Sequence, residues 1–126
     1  MTHPDTNEEK KSLMLLYAII FHYHGLDEDE EKILYRSAAE LDAHEELNWA
    51  FEFIAQDYLS AFDRARTYMN KVMASIEKYK RLHFINLTWK ANKEKGYITE
   101  MEATAMLKIA KDWDVDKDLI GLIQPT

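Results

Sequence analysis

The chain has 126 residues, 47% hydrophobic and 31% charged, with a net charge of −7, which suits one globular domain, residues 1–126, around a single core. Three glycines and two prolines leave little room for the turns of an all-β fold, and zero cysteines exclude disulfides, thiolate metal sites and cysteine nucleophiles. The acidic balance argues against general nucleic-acid binding, which needs Lys and Arg to neutralise phosphates.

Residues 1–7 are polar and expected to fray. Thr6 and Glu9 offer a capping box for a first helix reaching about His24, with Tyr17 and Ile20 on its apolar stripe. Its apolar run, residues 13–21, is too short to span a bilayer. Glu8 and Glu9 precede that run and no small-residue cleavage site follows, so it does not read as a signal peptide. A cytoplasmic location is expected, without a transmembrane segment and with peripheral membrane association left open. Gly25 stands where a helix commonly ends in a left-handed residue. Asp27 is the expected cap of a second helix over residues 28–41, with Glu30 at the box position and Leu34, Ala38 and Leu41 as its stripe. Asp42 and Glu45 offer another box, for the helix HEELNWAFEFIA, whose Leu47, Ala50, Phe51 and Ile54 share a face. A break near residues 56–60 precedes a fourth helix over 61–74 and a fifth over 77–92; no Gly or Pro marks a stop between these two, so they are either separate or continuous. Gly96 ends the fifth. Thr99 and Glu102 then form a capping box for a sixth helix over 100–112, and Asp114 caps a short last one near 115–123, closed by Pro125.

Residues 83–113 therefore read as helix, glycine stop, capped restart and helix, and a paler copy lies 71 residues earlier. Gly25 falls opposite Gly96 and Glu31 opposite Glu102. The expected architecture is all-α: a compact single-domain bundle of about seven short helices with two pseudo-repeated helical hairpins. The order of apolar helix, Gly, Leu or β-branched residue, Asp/Thr cap, Glu and a helix carrying LKIAKDWDVD resembles the TerB-like fold, over roughly residues 13–119. That family takes in tellurite-resistance TerB proteins and the amino-terminal domain of the DjlA co-chaperones. The resemblance implies a non-enzymatic binding module in bacterial stress response, to tellurite or metal ions, or a scaffold role at the cytoplasmic face of the membrane. Family members carry an Asp just before the turn glycine. Here His24 precedes Gly25 and Lys95 precedes Gly96, so no role of that Asp carries over.

Charge is uneven along the chain. Residues 27–46 hold nine acids against Lys32 and Arg36, and residues 64–95 hold nine bases against Glu77 and Glu94. Such polarity can steer a partner or self-association, or can be two solvated helix faces of opposite sign. The crowded carboxylates Asp27, Glu28, Asp29, Glu30 and Glu31 could ligate a divalent cation, Ca²⁺ or Mg²⁺, through oxygen. They also suit the positive end of a helix dipole, which by itself accounts for acids in a first turn. Glu45 and Glu46 would extend this acidic surface toward a protein partner.

Other chemistry fails on spacing. Asp114, Asp116 and Asp118 resemble the start of an EF-hand loop, but Leu119 stands where the turn glycine belongs and Pro125 where the bidentate Glu belongs. No Glu-x-x-His pair exists for a carboxylate-bridged dimetal centre. No G-x-S-x-G, G-x-G-x-x-G or P-loop is present, so an enzyme is not expected. A second reading is a small acidic interaction or inhibitor protein, of the kind a phage or mobile element encodes, that covers a basic protein surface.

Overall fold

Nine consecutive apolar residues can sit in a helix without exposing a flank only if every side of it is covered. The computed structural model, which describes residues 4–22 and 26–123, does this with α1 (Asn7–Phe21). Every residue from Ser12 to Phe21 is buried, so the expected single stripe is corrected to a fully enclosed post. Around it stand α2 (Glu28–Leu41), α3 (His44–Ala55), α4 (Ala61–Met73), α5 (Lys78–Lys93), α6 (Glu100–Asp112) and α7 (Asp116–Ile123). The fold is all-α, with seven helices and no strand among the described residues. α1 packs chiefly on α3 and α4, and also touches α2, α5 and α6; α7 closes on α5 and α6. The buried apolar side chains form one cluster, with Leu13, Leu16, Ile20, Leu34, Leu47 and Phe84 among its fully enclosed members.

The amino-terminal segment is tied down from Pro4 onward, which corrects the expectation that residues 4–7 fray. Pro4 is buried, Thr6 accepts from the Glu9 N–H at 3.1 Å, and Asn7 begins α1. The box is only half made: the Glu9 carboxylate accepts from the Asp5 N–H at 3.3 Å, one residue before the cap, where a complete box would bond the Thr6 N–H. Between α4 and α5 the open question resolves into a break. The Ser75 and Ile76 N–H groups bond three residues back, to Val72 and Met73, and Glu77 is extended. Half-buried Ile76 packs against the core; a tertiary contact replaces the missing glycine signal.

Asp42 and Asp114 do not cap the helices that follow them. Both lie in the left-handed region, with φ of 52° and 58°, and end the helices before them. The Ala43 and Val115 N–H groups reach back to the Ala38 and Ala110 carbonyls, each at 2.8 Å, the wrapped-back ending of a helix. Ala43, with no side-chain cap, precedes α3. Aspartate tolerates a left-handed backbone and also caps well, so either role was open to it.

These matched endings fix the register of the repeat. Asp27 pairs with Thr99 as cap, Glu30 with Glu102 as box residue, Asp42 with Asp114 as terminator, and Leu47 with Leu119 behind it. The spacing is 72 residues in each pair. The alignment of Glu31 with Glu102 is therefore corrected by one position: the spacing is 72 residues from cap to cap, against 71 between the two glycines in the sequence. Gly96 has the expected positive φ, 99°. Gly25 and Pro125 lie outside the described residues.

Candidate functional site

The start of α2 carries the five expected acids, and local geometry divides them. Asp27 accepts from the Glu30 N–H at 2.8 Å, and the Glu30 carboxylate accepts from the Asp27 N–H at 3.2 Å, a complete capping box. That turns Glu30 inward, where it is buried, while Asp27, Glu28, Asp29 and Glu31 stay exposed. No three carboxylate or imidazole side chains come together to hold an ion among the described residues. The five do not converge.

What Glu30 meets is Lys95. Its ammonium donates to Glu30 at 3.3 Å and also to Glu102, the equivalent box residue of α6. The side chains are 4%, 7% and 0% exposed for Lys95, Glu30 and Glu102, so one cation joins the amino-termini of both repeats out of water. It also lies over the rings of Tyr97 and Phe21, 5.0 and 5.7 Å from their centroids. Burial opposes the charge on Glu102, but Lys95 and the Thr99 N–H and hydroxyl outweigh it and hold the carboxyl below its usual range. Lys95 entered the sequence reading only as a departure before Gly96. The available signal was a pair of box glutamates at matched positions with a lysine beside the second turn.

The remaining expected site residues separate in the same way. Glu45 is exposed, whereas Glu46 is buried and accepts from the Asn7 side-chain amide. Glu46 is thereby corrected from partner surface to interior brace of α1 against α3, since an inward-facing carboxylate needs a donor. A second buried cation, Lys80, bonds Asp5 at 2.9 Å and pairs with Glu9. Burial alone would lower the pKa of Lys80; the two carboxylates raise it above the ordinary lysine value. His22 is half-buried and stacks edge-on against Phe51 with centroids 5.7 Å apart; burial lowers its pKa, with Glu30 opposing. Tyr17, in the core, is pushed upward by burial and by Glu40 and Glu94. Asp118 pairs with Lys78 at 3.6 Å, and Asp116 lies within α7.

The apparent charge polarity of the chain therefore changes in three dimensions. Of the nine bases in residues 64–95, Arg64 donates to the Phe53 and Asp57 carbonyls, Arg81 to the Trp113 carbonyl, and Arg66 to both oxygens of Asp112. With Lys78, Lys80 and Lys95 paired as above, only Lys71, Lys90 and Lys93 have no partner of this kind among the described residues. Of the nine acids in residues 27–46, Glu30 and Glu46 are buried and the rest are exposed. The basic stretch is largely paired within the chain, with only the Lys80 and Lys95 side chains buried, and the acidic stretch is surface.

Comparison of the chain with protein-family models, curated proteins and solved structures finds no match. The TerB-like resemblance stands on the residue pattern alone.

Proposed function

We propose that this chain is a non-enzymatic binding module of the TerB type whose acidic surface, Asp27, Glu28, Asp29 and Glu31 with Glu45, receives a cationic protein partner. One observation carries the reading: these acids are exposed, while six of the nine bases of residues 64–95 are paired with the chain's own acids and carbonyls. A surface of one sign attracts a partner of the other and speeds its approach. Between the two ligands open to this face, a protein is favoured over Ca²⁺ or Mg²⁺, because Glu30 is bound to Lys95 and no third ligand joins a cluster among the described residues. By the resemblance, its setting is bacterial stress response to tellurite or metal ions.

The non-enzymatic half of the proposal rests on the buried titratable groups. Glu9, Glu30, Glu102, Lys80 and Lys95 each serve helix ends and one another. A calorimetric titration decides between ion and protein. No heat with Ca²⁺, Mg²⁺, Mn²⁺ or Zn²⁺, together with salt-sensitive capture of a basic protein that fails after Glu28→Lys, Asp29→Lys and Glu31→Lys, is the expected result. Micromolar heat with one of the ions that the same variant abolishes would reverse the choice.

A further inference from the structure

Next to the acidic turn lies an apolar strip that crosses four elements. Tyr35 of α2, 46% exposed, meets Phe51 of α3 with ring centroids 6.3 Å apart, and Phe51 meets His22 at the end of α1. His22 in turn lines a groove of about 360 Å³ with Ile19, Ile54 and Phe62, and with Tyr58 and Leu59 from the α3–α4 connection. Those last two are 67% and 99% exposed, two large side chains side by side in water next to an apolar groove. The groove lining has no carboxylate, lysine or arginine among the described residues.

Helical spacing connects this strip to the acids. Glu28, Glu31 and Tyr35 recur at three and four residues along α2, so they follow one another on a single exposed stripe about 10 Å long. The surface thus runs from carboxylates to an aromatic ring to an apolar groove. A purely polar cation would leave Leu59 and the groove uncovered. A second copy of this chain would bring like charge against like in a protein of net charge −7.

Resting on the acidic-face reading above, we propose that the occupant is a basic amphipathic helix of a partner protein. Its apolar residues, at three- and four-residue spacing, enter the groove beside His22 and under Leu59, and its Lys and Arg lie along Glu28 and Glu31. Apolar anchors supply affinity and the charged stripe supplies orientation and rate.

The test uses the full chain and three labelled probes: amphipathic Leu/Lys and Leu/Glu peptides of about 18 residues, roughly five helical turns, and a shorter oligo-lysine with the same charge as the Leu/Lys peptide. Fluorescence anisotropy is expected to rank Leu/Lys first and Leu/Glu last. Tyr58→Ser with Leu59→Ser, both outside the core, should weaken the Leu/Lys peptide about tenfold or more while leaving oligo-lysine unchanged. If oligo-lysine binds as well as Leu/Lys and the Ser variant changes neither, the groove inference falls and the acidic-face reading survives. If no basic probe binds, or binding ignores Glu28→Lys and Glu31→Lys, both fall. If the wild type sediments as a dimer that the Ser variant dissolves, a second copy covers the groove and the inference is overturned.

Discussion

The amino-termini of α2 and α6 are built alike and face the solvent differently. Each has a complete capping box, Asp27 with Glu30 and Thr99 with Glu102, and each box glutamate reaches the same buried Lys95. Outside the box, α2 presents Glu28, Asp29 and Glu31, whereas α6 presents Glu100 and Met101 beside exposed Tyr97. The two hairpins share what the common interior requires and differ at the outer positions. An inward carboxylate must keep its donor, whereas an exposed side chain away from such features rarely shifts stability by more than about 0.5 kcal/mol. The shared interior is therefore structural, and the α2 exterior is where function is sought.

Breaking the common element should have the largest effect. Lys95→Met leaves two carboxylates buried without their cation, and about 3–5 kcal/mol of stability should be lost at neutral pH. The loss should shrink in acid. Glu102 in the native protein is held below its unfolded range, so its contribution is present above the unfolded pKa, about 4.3, and is lost as pH falls through the folded value. Without Lys95, Glu102 protonates more readily in the variant, so the gap between the two proteins closes toward pH 4. Urea melts at pH 7 and pH 4 measure it; an equal gap at both would refute the latch.

Next in size is Gly96→Ala. Its Cβ would meet no neighbouring atom within 4 Å, so the cost is that of a positive φ alone, about 1–2 kcal/mol. Asp27→Ala and Thr99→Ala should each cost about 1 kcal/mol, and similar losses in thermal melts would confirm that the two boxes are equivalent. A Thr99→Ala loss several times that of Asp27→Ala would break the parallel. Smallest per site for stability, and largest for binding, is Glu28→Lys with Asp29→Lys and Glu31→Lys. Each reversal sets a cation at the positive end of the α2 dipole and should cost about 0.3–1 kcal/mol, while capture of a basic partner is abolished.

Local signals carried the helices far. Thr6, Asp27 and Thr99 cap where the pattern Thr/Asp-x-x-Glu placed them, and Gly96 ends its turn with positive φ. Asp42 and Asp114 misled, because an aspartate between two helices can end the first or start the second, and the choice depends on the backbone path after Ala38 and Ala110. The α4–α5 break was ambiguous for a related reason: it is made by packing of Ile76 and not by a residue that resists helix.

By itself the sequence determined the all-helical class and the three capped starts, since each depends on residues within a turn or two of one another. Tertiary structure alone decided which charges face water. Lys95 lies 65 residues from Glu30, and Lys80 lies 75 residues from Asp5; no periodicity links positions so far apart. Burying a charge is tolerable only beside a hydrogen-bonded partner of opposite sign, and which partners meet is set by how the helices pack around α1.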